Sequence, residues 1–263
     1  EDYISAVDYF NKSILKDSTQ PKVYLNRGNA KVYLKEYKDA FADYDKALML
    51  NPNFSLVYFN KGTLHFDLNS YKEAKNCFEL CLKIEPDNYS ALVNLGRVLS
   101  HLNDGSKAKI KYDYAIKLNP KFAEAYLNRG LFYRDIGNIE LALKDFEMGL
   151  FLDTKLMPCF NNMLSLLIQT DNFIHLKKIN IDYNILSKNN LLSLTYLTIN
   201  SILSGKFKKV ESYLKKTWDI LNQSDQFEKL ERVNKDFVLG FLKFISSLLQ
   251  ETIICDDFKN QPA

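Results

Sequence analysis

Glycine and proline are scarce in this chain, nine and six residues among 263. That scarcity favours long helices over a fold of many turns. Cysteine is limited to Cys77, Cys81, Cys159 and Cys255. A spacing of four puts Cys77 and Cys81 on one helical face, but no second pair or nearby histidine completes a metal site. Packing is their expected role, because free cysteine is a common small buried residue. No metal or cofactor is expected, and the scattered thiols suit a reducing, cytoplasmic setting. The longest apolar-rich stretch, Phe237–Leu249, is too short to span a bilayer and contains Lys243. Charge of one sign is also missing: the formal net charge is +3, with neither half strongly basic. Nothing in that balance calls for nucleic acid or an anionic membrane as partner. No signal-peptide pattern opens the chain, although it starts at Glu1 without a methionine, so a removed upstream segment is allowed for.

What is present is a period. The pentapeptide YLNRG stands at Tyr24–Gly28 and again at Tyr126–Gly130. Steps of 34 connect Gly28, Gly62, Gly96 and Gly130. The same step connects Ala6, Ala40, Ala74, Ala108 and Ala142, and the aromatic residues Phe10, Tyr44, Phe78, Tyr112 and Phe146. Prolines follow at Pro52, Pro86 and Pro120. Four independent series in one register exclude chance.

Each unit reads as two helices. In the unit from Ala123, Tyr126, Tyr133 and Ile136 mark one helical face before a break at Gly137-Asn138. Leu141, Ala142, Phe146 and Leu150 mark a second. Glycine on the first helix and alanine on the second let two backbones approach, with the aromatic filling the space beside them. Proline ends the second helix by disfavouring the α conformation before it. Small, aromatic and proline residues in this order resemble the tetratricopeptide repeat, a 34-residue helix–turn–helix. The resemblance implies an all-α, right-handed α-solenoid of such units. It covers residues 1–156: a half repeat at 1–20, then repeats at 21–54, 55–88, 89–122 and 123–156. The half repeat lacks the helix on which Ala6 and Phe10 would pack, so the expectation is a fragment of a longer protein.

Beyond residue 156 Phe173 and Phe207 echo Tyr3, Tyr37 and Tyr71, past interruptions at Gly105 and Ile139, while the small residues vanish: Leu164 and Thr198 replace the glycine, Leu176 and Val210 the alanine. Residues 157–224 are therefore expected to form two degenerate repeats with altered helix spacing, and 225–263 a capping helical segment and tail.

In relatives, the residue two before each glycine points into the concave groove lined by the first helices. Those residues here are Asn26, Asn60, Asn94 and Asn128, continued by Asn162. An amide both donates and accepts, so such a series can pair with a peptide backbone without reading its sequence. Each contact nets about 0.5–1.5 kcal/mol, so the array matters more than one rung. The pattern is similar to the peptide-binding repeats of O-linked N-acetylglucosamine transferases, although no glycosyltransferase domain is present. Asparagine at this place is also compatible with bonds to the neighbouring helix. Leu25, Phe59, Val93 and Leu127 precede the asparagines and form an apolar stripe, facing either the groove or the adjacent unit. Asn94, Arg97 and His101 share one helical face, where Arg97 is placed to meet an acidic ligand group or solvent.

Some relatives clamp the acidic tail of heat-shock chaperones with a lysine, two asparagines and two further cations. The corresponding places hold Leu25, Asn29, Asn60, Ser90 and Asn94, so only Asn29 and Asn60 match and all three cations are missing, which argues against that clamp. Catalysis has little support: His65 replaces Leu99 and Tyr133 of sister units, and no phosphate loop, HExxH or nucleophile elbow occurs. Lys206, Lys208, Lys209, Lys215 and Lys216, near Tyr213 and Trp218, read as a solvated face before an RNA-binding patch. The expected function is a non-catalytic scaffold or adaptor, co-chaperone work included, holding an extended segment of a protein partner. The alternatives are a substrate-recruiting arm of a larger enzyme and self-association through terminal repeats.

Overall fold

The computed structural model describes residues 2–153, 156–170 and 212–213. The expectations for 225–263 and, apart from 212–213, for 171–224 lie outside the described residues, all five lysines of the cluster and the stretch Phe237–Leu249 included. Ten α-helices follow one another among those described. They are α1 (Tyr3–Lys16), α2 (Pro21–Tyr33), α3 (Tyr37–Leu50), α4 (Ser55–Asp67), α5 (Tyr71–Ile84), α6 (Tyr89–His101), α7 (Gly105–Leu118), α8 (Ala123–Asp135), α9 (Ile139–Leu152) and α10 (Met157–Gln169). The fold is an all-α stack of helix–turn–helix units, as the resemblance implies. The chain divides into two compact units, 1–159 and 160–263, and the packing that follows is that of the first.

Helix ends repeat as faithfully as helix interiors. Each first helix stops at a residue with positive φ: Lys35 at 62°, Asn69 at 58°, Asn103 at 60° and Gly137 at 78°. These four positions are themselves 34 apart. The next N–H reaches back to a carbonyl of the last helical turn, as from Ser70 to His65 at 2.8 Å and from Asn138 to Tyr133 at 2.8 Å. That pattern satisfies carbonyls the helix leaves open and reverses the chain at once. Asparagine and glycine tolerate the left-handed region; lysine does so at a cost. Lys35→Gly is accordingly expected to stabilise the chain by about 0.5–1 kcal/mol, read as a higher denaturation midpoint in urea. A lower midpoint would show that the Lys35 side chain does more than tolerate its backbone. Second helices end in extended backbone at Asn51 and Asp153 or near it at Glu85 and Asn119, with Pro52, Pro86 and Pro120 just beyond α3, α5 and α7.

Helix pairs α2–α3, α4–α5, α6–α7 and α8–α9 form the hairpins, and α1 packs on α2, α3 on α4, α5 on α6 and α7 on α8. The close approach within a hairpin has a measurable limit. A Cβ built on Gly96 would lie 2.6 Å from Tyr112, and one on Gly130 would lie 2.7 Å from Phe146. Tyr44, Phe78, Tyr112 and Phe146 are all buried, and Ala40, Ala74, Ala108 and Ala142 are fully so. Ala47, Cys81, Ala115 and Gly149 occupy a further small-residue register, all buried. Glycine at the last of these answers the larger Cys159, whose sulfur would be 2.5 Å from a Cβ at position 149.

First helices also touch one another in succession, α2 to α4, α4 to α6 and α6 to α8. They therefore line the inner side of this unit, which is where the asparagine series has to be judged.

Candidate functional site

Asn26, Asn60, Asn94 and Asn128 stand at equivalent places on α2, α4, α6 and α8, yet their amides are differently engaged. Asn26 is exposed and makes no hydrogen bond among the described residues. Asn60 donates through Nδ2 to Asn29 Oδ1 at 2.9 Å, and the same oxygen accepts from the Tyr44 hydroxyl at 2.7 Å. Asn29 thus ties one repeat to the next. Asn94 Oδ1 accepts from Arg97 at 3.2 Å, and Asn128 Nδ2 donates to the Glu124 carbonyl one turn back at 2.7 Å. Asn60 and Asn128 therefore keep a carbonyl oxygen for a ligand, and Asn94 keeps its amino group. The rungs are not interchangeable. Asn162 is half-buried on α10, in the second unit.

The apolar stripe divides in two. Leu25 and Val93 are only 3% exposed, because they fill the space between helices and retain little surface for a ligand. Phe59 and Leu127 are half-buried; the Phe59 ring meets the edge of Phe78 at 5.8 Å.

Arg97 and His101 border a pocket of about 340 Å³ between α6 and α8, shared with Ser100, Asn128 and Leu131. The Arg97 guanidinium lies 4.3 Å from the Phe66 ring centroid. His101 stacks on Tyr71 at 4.6 Å and 7°. These contacts join α4, α5 and α6 into one aromatic platform under the arginine.

A row of cations one position before the glycines escaped the sequence reading, although YLNRG contains it. Arg27 makes two bonds to Asp43, at 2.9 and 2.5 Å, and one to Asn11 at 2.7 Å. Arg129 makes two bonds to Asp145, at 2.8 and 2.7 Å, and one to Asp113 at 2.7 Å. Lys61 reaches Asp45 at 2.5 Å, in the register of Asn11 and Asp113. Arg27 and Arg129 thus reach 16 residues both forward and back, each linking two successive second helices through a first helix, while Lys61 reaches only back. In the third repeat the place is Leu95, between Glu79 and Lys111. The only trace of the row in the amino-acid sequence is the spacing of 16 that separates Arg27 from Asp43 and Arg129 from Asp145.

Asp43 and Asp145 are buried, at 3% and 4% exposure. Burial disfavours the Arg129 charge, but hydrogen bonds and charges from Asp145 and Asp113 outweigh it and raise the guanidinium pKa. These ion pairs hold the groove-forming helices in place, which is a structural duty. The three described thiols have none of the marks of reactive groups: burial pushes Cys77 and Cys81 up to about 11 and Cys159 to about 12. His65 is half-buried with its ring 4.4 Å from Phe41, and burial followed by the nearby Lys61 charge lowers its pKa below 6.5.

Models of the tetratricopeptide repeat match residues 21–54, 56–88 and 111–144. The third match covers one period beginning inside α7. The chain is a tetratricopeptide repeat protein. Among solved structures this repeat protein is similar to YrrB, described as a TPR protein with an unusual peptide-binding site, at 27% identity and a TM-score of 0.52. That alignment covers 70% of this chain and 95% of YrrB. PilF of Pseudomonas aeruginosa aligns with a TM-score of 0.62 at 17% identity, over 81% of this chain and 96% of its own. MamA aligns with a TM-score of 0.52 at 23% identity, over 59% and 90%. At those identities the last two likenesses speak to the fold alone. No curated protein sequence matches the chain. No helix among the described residues is long and apolar enough to cross a membrane.

Proposed function

We propose that this repeat protein is a non-catalytic interaction module that holds an extended segment of a partner protein along its first helices. In this reading the regular array spans 1–156, with 157–224 as degenerate repeats and 225–263 as a cap. The observation that carries it is the set of uncommitted amide groups on the inner side: both ends of Asn26, the carbonyls of Asn60 and Asn128, and the amino group of Asn94. Their alternation suits an extended backbone, which presents N–H and C=O groups in turn. The peptide-binding site in the description of YrrB supports the same use of the fold.

Selection of 12-residue peptides from a displayed random library on the full chain tests the proposal. Selected peptides are expected to bind the variants Asn94→Ala and Asn128→Ala about two- to tenfold more weakly each. Asn60 is the poorer choice, because its amide also holds Asn29. Helicity and melting must match the parent, so that the loss reports the groove. Unchanged affinity in both variants would move the binding surface away from the first helices.

A further inference from the structure

Four arginines lie among the described residues, and three of them face a carboxylate: Arg27 faces Asp43, Arg129 faces Asp145 and Asp113, and Arg134 faces Asp135. Arg97 faces none. It gives one hydrogen bond to Asn94, at 3.2 Å, and rests on the Phe66 ring. A guanidinium has five N–H donors, so most of its donor capacity is open.

The platform beneath it is braced. Phe66 meets Tyr71 edge-on at 5.6 Å and His101 at 5.3 Å, while His101 and Tyr71 stack. With its carbon over the ring, the guanidinium keeps N–H donors with which a planar carboxylate makes two parallel bonds. Arg97 is half-buried, so a bond there is less screened than one in open water. Asp135 is the one acid lining the pocket, and Arg134 binds it at 2.7 and 3.0 Å. The local field is therefore positive. Leu131 and Phe132 add apolar wall that suits the methylenes of an acidic side chain.

We propose that the pocket between α6 and α8 receives the carboxylate of an Asp or Glu side chain on the bound segment, with Arg97 as the anchoring charge. The proposal rests on the groove reading above, and it adds a sequence preference that an amide series by itself cannot give. A phosphorylated side chain is the poorer fit, since a dianion calls for a second uncommitted cation and Arg134 is already paired.

The test uses the full chain and the selected 12-residue peptides. Acidic residues are expected to recur at one peptide position. Changing that residue to its amide, Glu to Gln, is expected to weaken binding to the parent about tenfold. The same peptide change on Arg97→Met, whose side chain still covers Phe66, is expected to have no effect. Arg97→Lys is expected to keep part of the preference. The peptide exchange needs no protein variant, so the test stands even where Arg97→Met folds poorly. Peptides that bind without acid dependence, an acid preference that survives in Arg97→Met, or a phosphoserine peptide binding over tenfold tighter than the Glu peptide would each overturn the anchor and leave the groove reading intact. Failure to select any peptide would overturn both.

Discussion

Arg129→Met is expected to destabilise the chain by about 3–5 kcal/mol, read from urea denaturation followed by helicity. The change leaves Asp145, 4% exposed, without the guanidinium that gives it two hydrogen bonds. Taking a carboxylate out of water is costly, and in the parent the cost is offset by the paired charge and its good geometry. Removing only the arginine keeps the cost and discards the compensation. The double variant Arg129→Met, Asp145→Leu is therefore expected to be more stable than Arg129→Met by itself, because both charges are then absent. A double variant as unstable as the single one, or more so, would mean that the side-chain stems and not the charges hold α8 between α7 and α9.

Phe146→Ala is expected to cost about 3–5 kcal/mol, since a fully buried ring is exchanged for a cavity. Its informative partner is Gly130→Ala. In the parent, the new Cβ would lie 2.7 Å from the Phe146 ring, and overpacking of that kind costs about 1–3 kcal/mol. Alanine recovers about 1 kcal/mol of helix propensity over glycine, so a net loss is expected. On the Phe146→Ala background the clash is gone, and the same glycine change is expected to stabilise. The reversal of sign is the measurement: equal effects on both backgrounds would show that Gly130 is there for backbone reasons and not to admit the ring. The corresponding approach of Gly96 to Tyr112 should behave alike.

These two cases differ in how visible they are in the amino-acid sequence. The glycine and aromatic series are unbroken through four repeats, so their relation at a spacing of 16 is legible once the period of 34 is seen. The ion-pair row has the same spacing but is interrupted. Lys61 faces Cys77 in place of an aspartate, and Leu95 stands beside Lys111. A series with substitutions in half its members does not separate from chance composition. The left-handed residues are similarly masked, because Lys35, Asn69, Asn103 and Gly137 share a backbone angle and no side-chain chemistry.

The asparagine series was legible as a position and not as a chemistry. Repetition put one amide on each first helix, but which atoms remain free depends on neighbours that do not repeat. Asn29 is available to Asn60, Arg97 to Asn94, and for Asn128 only its own helix backbone. Arg97 likewise has Asn29, Thr63 and Leu131 at its equivalents, so no series marks it.

The amino-acid sequence by itself determined the helical period, the pairing of helices and the small-residue contacts, because these arise from local propensity and from a pattern averaged over many copies. The tertiary structure decided which polar groups are consumed within the stack and which are left on its inner side. That outcome depends on single contacts between residues 3 to 31 apart, made by side chains present only once, and a repeat pattern carries no record of them.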